Sequence, residues 1–229
     1  MRHEITHAPA FALLKVDLAP GETIAAEAGA MVARSADLPM RVTLNAGRRG
    51  GLFGRLRALG VAFIRKLVGG ETFFVNTYSA RAPSSLWLAP VMSGGIERYQ
   101  LTPGSTLVLS TGAYLASMGD VEMRMRFTGL RGLFAREGLF FLEMRGDGPV
   151  WFNSYGGIEY VEVDGSYIVE NGHIVGFEGG LDFRIRGAGD GLKGIFFSGQ
   201  GLVCEFQGRG RVCLKARSGS TLIGHLSRH

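Results

Sequence analysis

The chain has 229 residues, of which 46% are hydrophobic and 20% charged, and its formal net charge is +5 at pH 7. This composition excludes a disordered or low-complexity chain, and a chain of this length can remove roughly 70% of its unfolded surface from water, enough for a sizeable core. With 36 glycines against 7 prolines, it reads as one all-β domain over residues 1–229, rich in tight turns and bulges.

From the N-terminus, Ala8 to Leu14 is apolar but is interrupted by Pro9 and followed by Lys15 and Asp17, so no secretory signal is read. A turn and strand then appear, Pro20-Gly21-Glu22-Thr23 followed by Gly29-Ala30-Met31-Val32-Ala33, with an alternating stretch from Leu38 to Leu44. The same order returns as Pro103-Gly104-Ser105-Thr106, Gly112-Ala113-Tyr114-Leu115-Ala116 and Val121 to Phe127. A weaker third copy reads Asp164-Gly165-Ser166-Tyr167, Gly172-His173-Ile174-Val175-Gly176 and Leu181 to Arg186. Repetition at this scale predicts three structural units around a shared core, repeat one over about 4–98, repeat two over about 99–160 and repeat three over about 161–217, with a tail at 218–229.

Between Asn45 and Gly70 lies an insertion carrying Arg48, Arg49, Arg55, Arg57, Arg65 and Lys66 with no acidic residue. Leu52, Leu56, Leu59, Phe63 and Leu67 recur at intervals of three or four, an apolar stripe if the segment is helical, although Gly54 and Gly60 weaken a helix. A basic amphipathic element suits an anionic membrane surface or an acidic partner; the plainer reading is a crossover whose leucines cover the sandwich edge. The stretch from Tyr99 to Gly119 has membrane-spanning length and no charge, but Pro103-Gly104 and its polar residues predict two strands instead.

A second recurring element reads Gly70-Glu71-Thr72-Phe73-Phe74, Glu137-Gly138-Leu139-Phe140-Phe141 and Gln200-Gly201-Leu202-Val203-Cys204. Glycine-rich segments follow, Arg145-Gly146-Asp147-Gly148 and Gln207-Gly208-Arg209-Gly210, each predicted as a hairpin turn before a closing strand. Cys204 and Cys213 flank the latter, which would bring them near each other across a strand pair, as reduced thiols in a cytoplasmic protein.

Chemistry-bearing constellations are sparse. Of the five histidines, His3, His7, His225 and His229 lie near the termini, and His173 fills the slot that Ala30 and Ala113 occupy in the other copies, so no metal site is expected. Glu71, Glu137 and Gln200 form a candidate repeat-related polar site. Because Gln cannot exchange protons, a structural role accepting backbone hydrogen bonds is favoured over acid–base catalysis. No nucleophile elbow is present, and the Gly-x-Gly segments open onto strands, without the helix N-terminus that a phosphate cradle needs.

Gly70-Glu71-Thr72-Phe73-Phe74, Gly112-Ala113-Tyr114-Leu115-Ala116, Glu137-Gly138-Leu139-Phe140 and Asn153-Ser154-Tyr155-Gly156 together resemble bacterial members of the mitochondrial biogenesis family named for altered inheritance of mitochondria, from about Glu4 to Arg217. The resemblance implies a fold similar to the tryptophan RNA-binding attenuator protein: an intertwined β-sandwich of three internal repeats with a pseudo-threefold arrangement. It implies no catalytic residue and no cofactor. The chain departs from the family pattern at Gly199-Gln200-Gly201 and at Lys215-Ala216-Arg217.

The expectation is therefore a non-enzymatic binding or scaffold protein meeting a protein partner or an anionic membrane surface, with a homo-oligomer left open. A small-molecule-binding protein or enzyme with a pocket between repeats is the alternative. RNA binding by fold analogy ranks behind both, because fold alone is a weak guide to function and the Phe pairs read as core.

Overall fold

A computed structural model describes residues 1–44, 74–127, 140–187 and 202–218. Within the first two of these segments lie β1 (Arg2–Thr6), β2 (Leu13–Leu18), β3 (Thr23–Glu27), β4 (Met31–Arg34), β5 (Met40–Leu44), β6 (Phe74–Ser79), β7 (Ser84–Leu88), β8 (Ile96–Leu101), β9 (Thr106–Ser110), β10 (Tyr114–Met118) and β11 (Asp120–Phe127). Then come β12 (Phe140–Asn153), β13 (Ile158–Glu170), β14 (Ile174–Glu178), β15 (Asp182–Gly187) and β16 (Leu202–Lys215). The chain is all-β, as expected, and every ladder between these strands is antiparallel. One sheet runs β1-β2-β7-β4; a larger one runs β13-β16-β14-β9-β12-β10-β3-β6-β5, with β8, β11 and β15 joined to its long strands.

The alternating sequences dictate which side chains face inward. Leu14, Val16 and Leu18 of β2 and Leu86 and Leu88 of β7 point to one core with Ile24 and Trp151, because side chains two apart share a face of a strand. Leu107, Leu109, Tyr114, Leu142 and Phe152 build a second core. A third gathers Phe141, Phe177 and Phe206, with Phe183 against it, and its rings meet edge to face at 4.9–5.6 Å. Each such side chain contributes on the order of 2 kcal/mol by leaving water.

Positions that match in sequence take matching registers. A bulge interrupts pairing between Met31 and Ala33, between Tyr114 and Ala116, and between Ile174 and Gly176. β3 pairs with β10 and β9 pairs with β14, in the same offset. The third pairing that a closed threefold arrangement would need, β13 with β4, is not among those of the described residues.

Three turns expected from sequence are not turns. Asp164-Gly165-Ser166-Tyr167 lies inside β13, where pairing with β16 continues unbroken from Ile158↔Lys215 to Glu170↔Val203. By the register that matches Ile168 to Val108, Val163 stands where the other copies carry a proline, so the backbone keeps its donor and the strand continues. Gln207-Gly208-Arg209-Gly210 and Arg145-Gly146-Asp147-Gly148 likewise lie inside β16 and β12. They mark where one long strand exchanges partners: β12 pairs with β11 up to Asp147 and with β8 from Gly148 onward. At Gly146, φ is +123° and an added Cβ would meet the Asp120 carbonyl oxygen at 1.8 Å. The glycine therefore bends the strand rather than reversing it.

Candidate functional site

The six basic residues Arg48, Arg49, Arg55, Arg57, Arg65 and Lys66, and the polar set Glu71, Glu137 and Gln200, lie outside the described residues. The described surface offers two other places with functional character, a polar recess and an apolar tip.

The recess forms where β9 meets β14. Glu178 ends β14, and Arg211 sits on the neighbouring β16. The Glu178 carboxylate accepts from Arg211 three times, from Nη2 at 3.1 Å, from Nε at 3.3 Å and from the backbone N–H at 3.1 Å. These charge-assisted bonds raise the Arg211 pKa above its usual value. The guanidinium in turn lies 5.3 Å from the centre of the Tyr160 ring. Burial raises the pKa of the Tyr160 hydroxyl, with Cys213 and Glu97 adding to it, and burial and Glu178 raise that of Tyr99. Tyr99, Leu109, Phe152 and Cys213 complete the lining, around a cavity volume of about 20 Å³, room for about one water. Such a recess orders two strands; its two charges already satisfy each other.

A second polar cluster sits at the junction of β3 and β10. The buried Tyr114 hydroxyl donates to the Ala25 carbonyl at 3.1 Å and lies 2.9 Å from Ser117 Oγ. Nearby, burial pushes the half-buried Glu27 carboxyl up to about 7.

His173 uses Nδ1 on the Lys215 carbonyl at 2.8 Å and faces Glu170 at 3.6 Å, an anchoring role for the short turn between β13 and β14. Among the described residues no group of three or more His, Cys, Asp or Glu can hold a metal ion. Cys204 and Cys213 are both free and buried. They do not sit across a strand pair: both belong to β16, opposite Val169 and Tyr160 of β13, and nine residues of extended strand separate them by about 30 Å, far beyond disulfide reach.

The apolar tip is built from the loops after β1 and β7. The Ala12 N–H donates to the Gly94 carbonyl at 3.0 Å, which ties the two loops together. Each carries an Ala-Pro pair followed by apolar residues, Pro9-Ala10-Phe11 and Pro90-Val91-Met92. Phe11 is 73% exposed and Val91 81%, with Met92 also exposed. A turn proline next to large apolar residues is the sequence signal that could have found this tip. Glu178 and Arg211 gave none, because strand register and not sequence spacing brings them together.

The sequence model of the family described as mitochondrial biogenesis AIM24 matches residues 3–217. The chain belongs to the AIM24 family. An uncharacterized protein of Streptococcus pyogenes serotype M6 is 28% identical over 232 residues, an alignment covering 100% of this chain and 91% of that protein. A crystal structure of a Streptococcus pyogenes protein superposes with a TM-score of 0.78 at 28% identity, covering 99% of this chain and 98% of the other. The AIM24 assignment thus extends over the strands that build the recess and the loops that build the tip. Among the described residues no helix is long and apolar enough to cross a membrane.

Proposed function

We propose that this AIM24-family protein is a non-enzymatic binding module of the cytoplasm that docks at an anionic membrane surface. The exposed tip of Phe11, Val91 and Met92 carries this reading. Large apolar side chains exposed on two tied loops cost solvation in water and are favoured at a lipid interface or a partner surface. The six basic residues from Arg48 to Lys66 supply attraction to anionic lipid, worth about 1 kcal/mol for each charge near the surface. The small recess at Glu178 and Arg211, filled by an internal ion pair, supports a role without bound substrate.

Vesicle sedimentation tests this. Vesicles of neutral or anionic lipid, at low and high salt, are spun with the wild type, with a Phe11→Ser/Val91→Ser variant, and with a variant whose six basic residues are changed to Gln. Salt-sensitive binding to anionic vesicles, weakened by either variant, is the expected result. Absence of binding under every condition overturns the membrane reading and directs the tip to a protein partner.

A further inference from the structure

Among the described residues, two strand edges lack the neighbour that their counterparts have. β10 pairs on one side with β12 and on the other with β3, in the register Ala116↔Ala26, Ser117↔Ala25 and Met118↔Ile24. β14 pairs on one side with β16 and on the other with β9, in the register Gly176↔Leu109, Phe177↔Val108 and Glu178↔Leu107. By its bulge and its pairing with β7, β4 is the matching strand of the first repeat. Likewise Ser166–Glu170, the end of β13, matches β3 and β9, each pairing with the strand that begins the second half of its repeat. Among the described residues β4 pairs only with β7, and the end of β13 pairs only with β16.

Burial shows what the missing neighbour costs. Val32 of β4 is 56% exposed, whereas Leu115 and Val175 in the matching positions are 0% and 1% exposed. Ile168 is 50% exposed against 0% for its counterpart Val108. Met31 and Tyr167 are exposed beside them. An edge this apolar, with no lysine or proline on either strand, is a template for further pairing.

We infer that these two edges meet between copies of this chain: β4 of one copy pairs antiparallel with Ser166–Glu170 of the next. The register of the two internal junctions fixes the third as Ala33↔Val169, Arg34↔Ile168 and Ser35↔Tyr167. Because the two edges differ, the contact is head-to-tail. Copies then close into a ring or extend as a chain, according to the rotation at each contact. The inference rests on strand register alone and is independent of the membrane reading.

Sedimentation velocity at low and high concentration gives the first test. The wild type is expected to gain mass with concentration. Val32→Lys blocks one edge and Ile168→Lys the other, and both side chains are exposed in a single copy, so the fold is retained, as an unchanged thermal melt checks. Each variant alone stays monomeric, and the two mixed form dimers and nothing larger, since each supplies the one edge that the other lacks. In an Ala33→Cys/Val169→Cys variant that also carries Cys204→Ser, because Cys204 lies opposite Val169, oxidation gives a ladder of chains joined by reducible bonds. A wild type monomeric at every concentration, assembly untouched by either lysine, or a disulfide formed within one chain overturns the inference; the last would mean that the two edges meet inside a single copy.

Discussion

Tyr114 and Ser117 lie three residues apart on β10, yet their hydroxyls meet at 2.9 Å inside the protein, and Tyr114 also reaches across the junction to the Ala25 carbonyl of β3. The bulge between Tyr114 and Ala116 makes this geometry possible. An unbroken strand would place residues three apart on opposite faces. The junction between these two strands is therefore locked by a polar contact as well as by its ladder.

Tyr114→Phe leaves the Ser117 hydroxyl without this partner in a site closed to water. The expected loss is about 1–2 kcal/mol, read by urea unfolding, or roughly 2–8 °C in melting temperature for a chain of this size. A variant as stable as the wild type would show that the hydroxyl contributes nothing to the junction.

Glu27 gives the stability a pH dependence of known sign. Folded, the carboxyl holds its proton up to about pH 7, and its ordinary value is 4.5. Between those values the folded state binds a proton that the unfolded state has released, so stability falls as pH rises through the window. At 1.36 kcal/mol for each unit, the loss is about 3 kcal/mol, complete once pH exceeds the folded value. Glu27→Gln removes the titration. Urea melts should show the variant gaining on the wild type from about pH 4.5 to about pH 8, with most of the gain below about pH 7.

How much of this was legible in the chain depends on whether local pattern or distant register decided it. β9 and β10 follow from Pro103-Gly104 and the apolar runs around it, and the inward faces of β2 and β7 follow from alternation. The segments of partner exchange within β12 and β16 carry the sequence pattern of hairpins, because Gly-x-Gly between apolar runs looks the same whether the chain reverses or only bends. Which occurs depends on neighbours such as Asp120, which lies 27 residues from Asp147 and pairs with it. The ion pair of Glu178 and Arg211 spans 33 residues, and no spacing rule reaches that far. The exposed state of Val32 could not be read either, since its sequence matches the buried Leu115 and Val175; only the sheet order separates them.

The bend in β12 predicts a sharp contrast between two glycines with positive φ. At Gly104 an added Cβ meets nothing within 4 Å, so Gly104→Ala should cost only the backbone strain, about 1 kcal/mol. At Gly146 the same atom would overlap the Asp120 carbonyl. Neither backbone can move without breaking the ladder from Asp120↔Asp147 to Phe127↔Phe140. Gly146→Ala should therefore cost more than about 4 kcal/mol, among the largest effects of any single substitution. Chemical unfolding of the two variants side by side checks this; equal losses would place the strand bend elsewhere.

The thiols report on whether β13 and β16 stay closed. Burial pushes both Cys204 and Cys213 up to about 12, and because the thiolate is the attacking form, about one thiol in ten thousand is reactive at pH 8. Native protein should release almost no colour with an aromatic disulfide reagent, and both thiols should react promptly once denaturant is added. Labelling of native protein should then follow opening of the ladder between Ile158↔Lys215 and Glu170↔Val203. If the thiols sense one cooperative opening, both react at the same rate and both slow together as the protein is stabilised. A single fast thiol at Cys213 would instead mark local fraying of β16 beside the recess, while the aromatic core around Phe206 holds Cys204 closed.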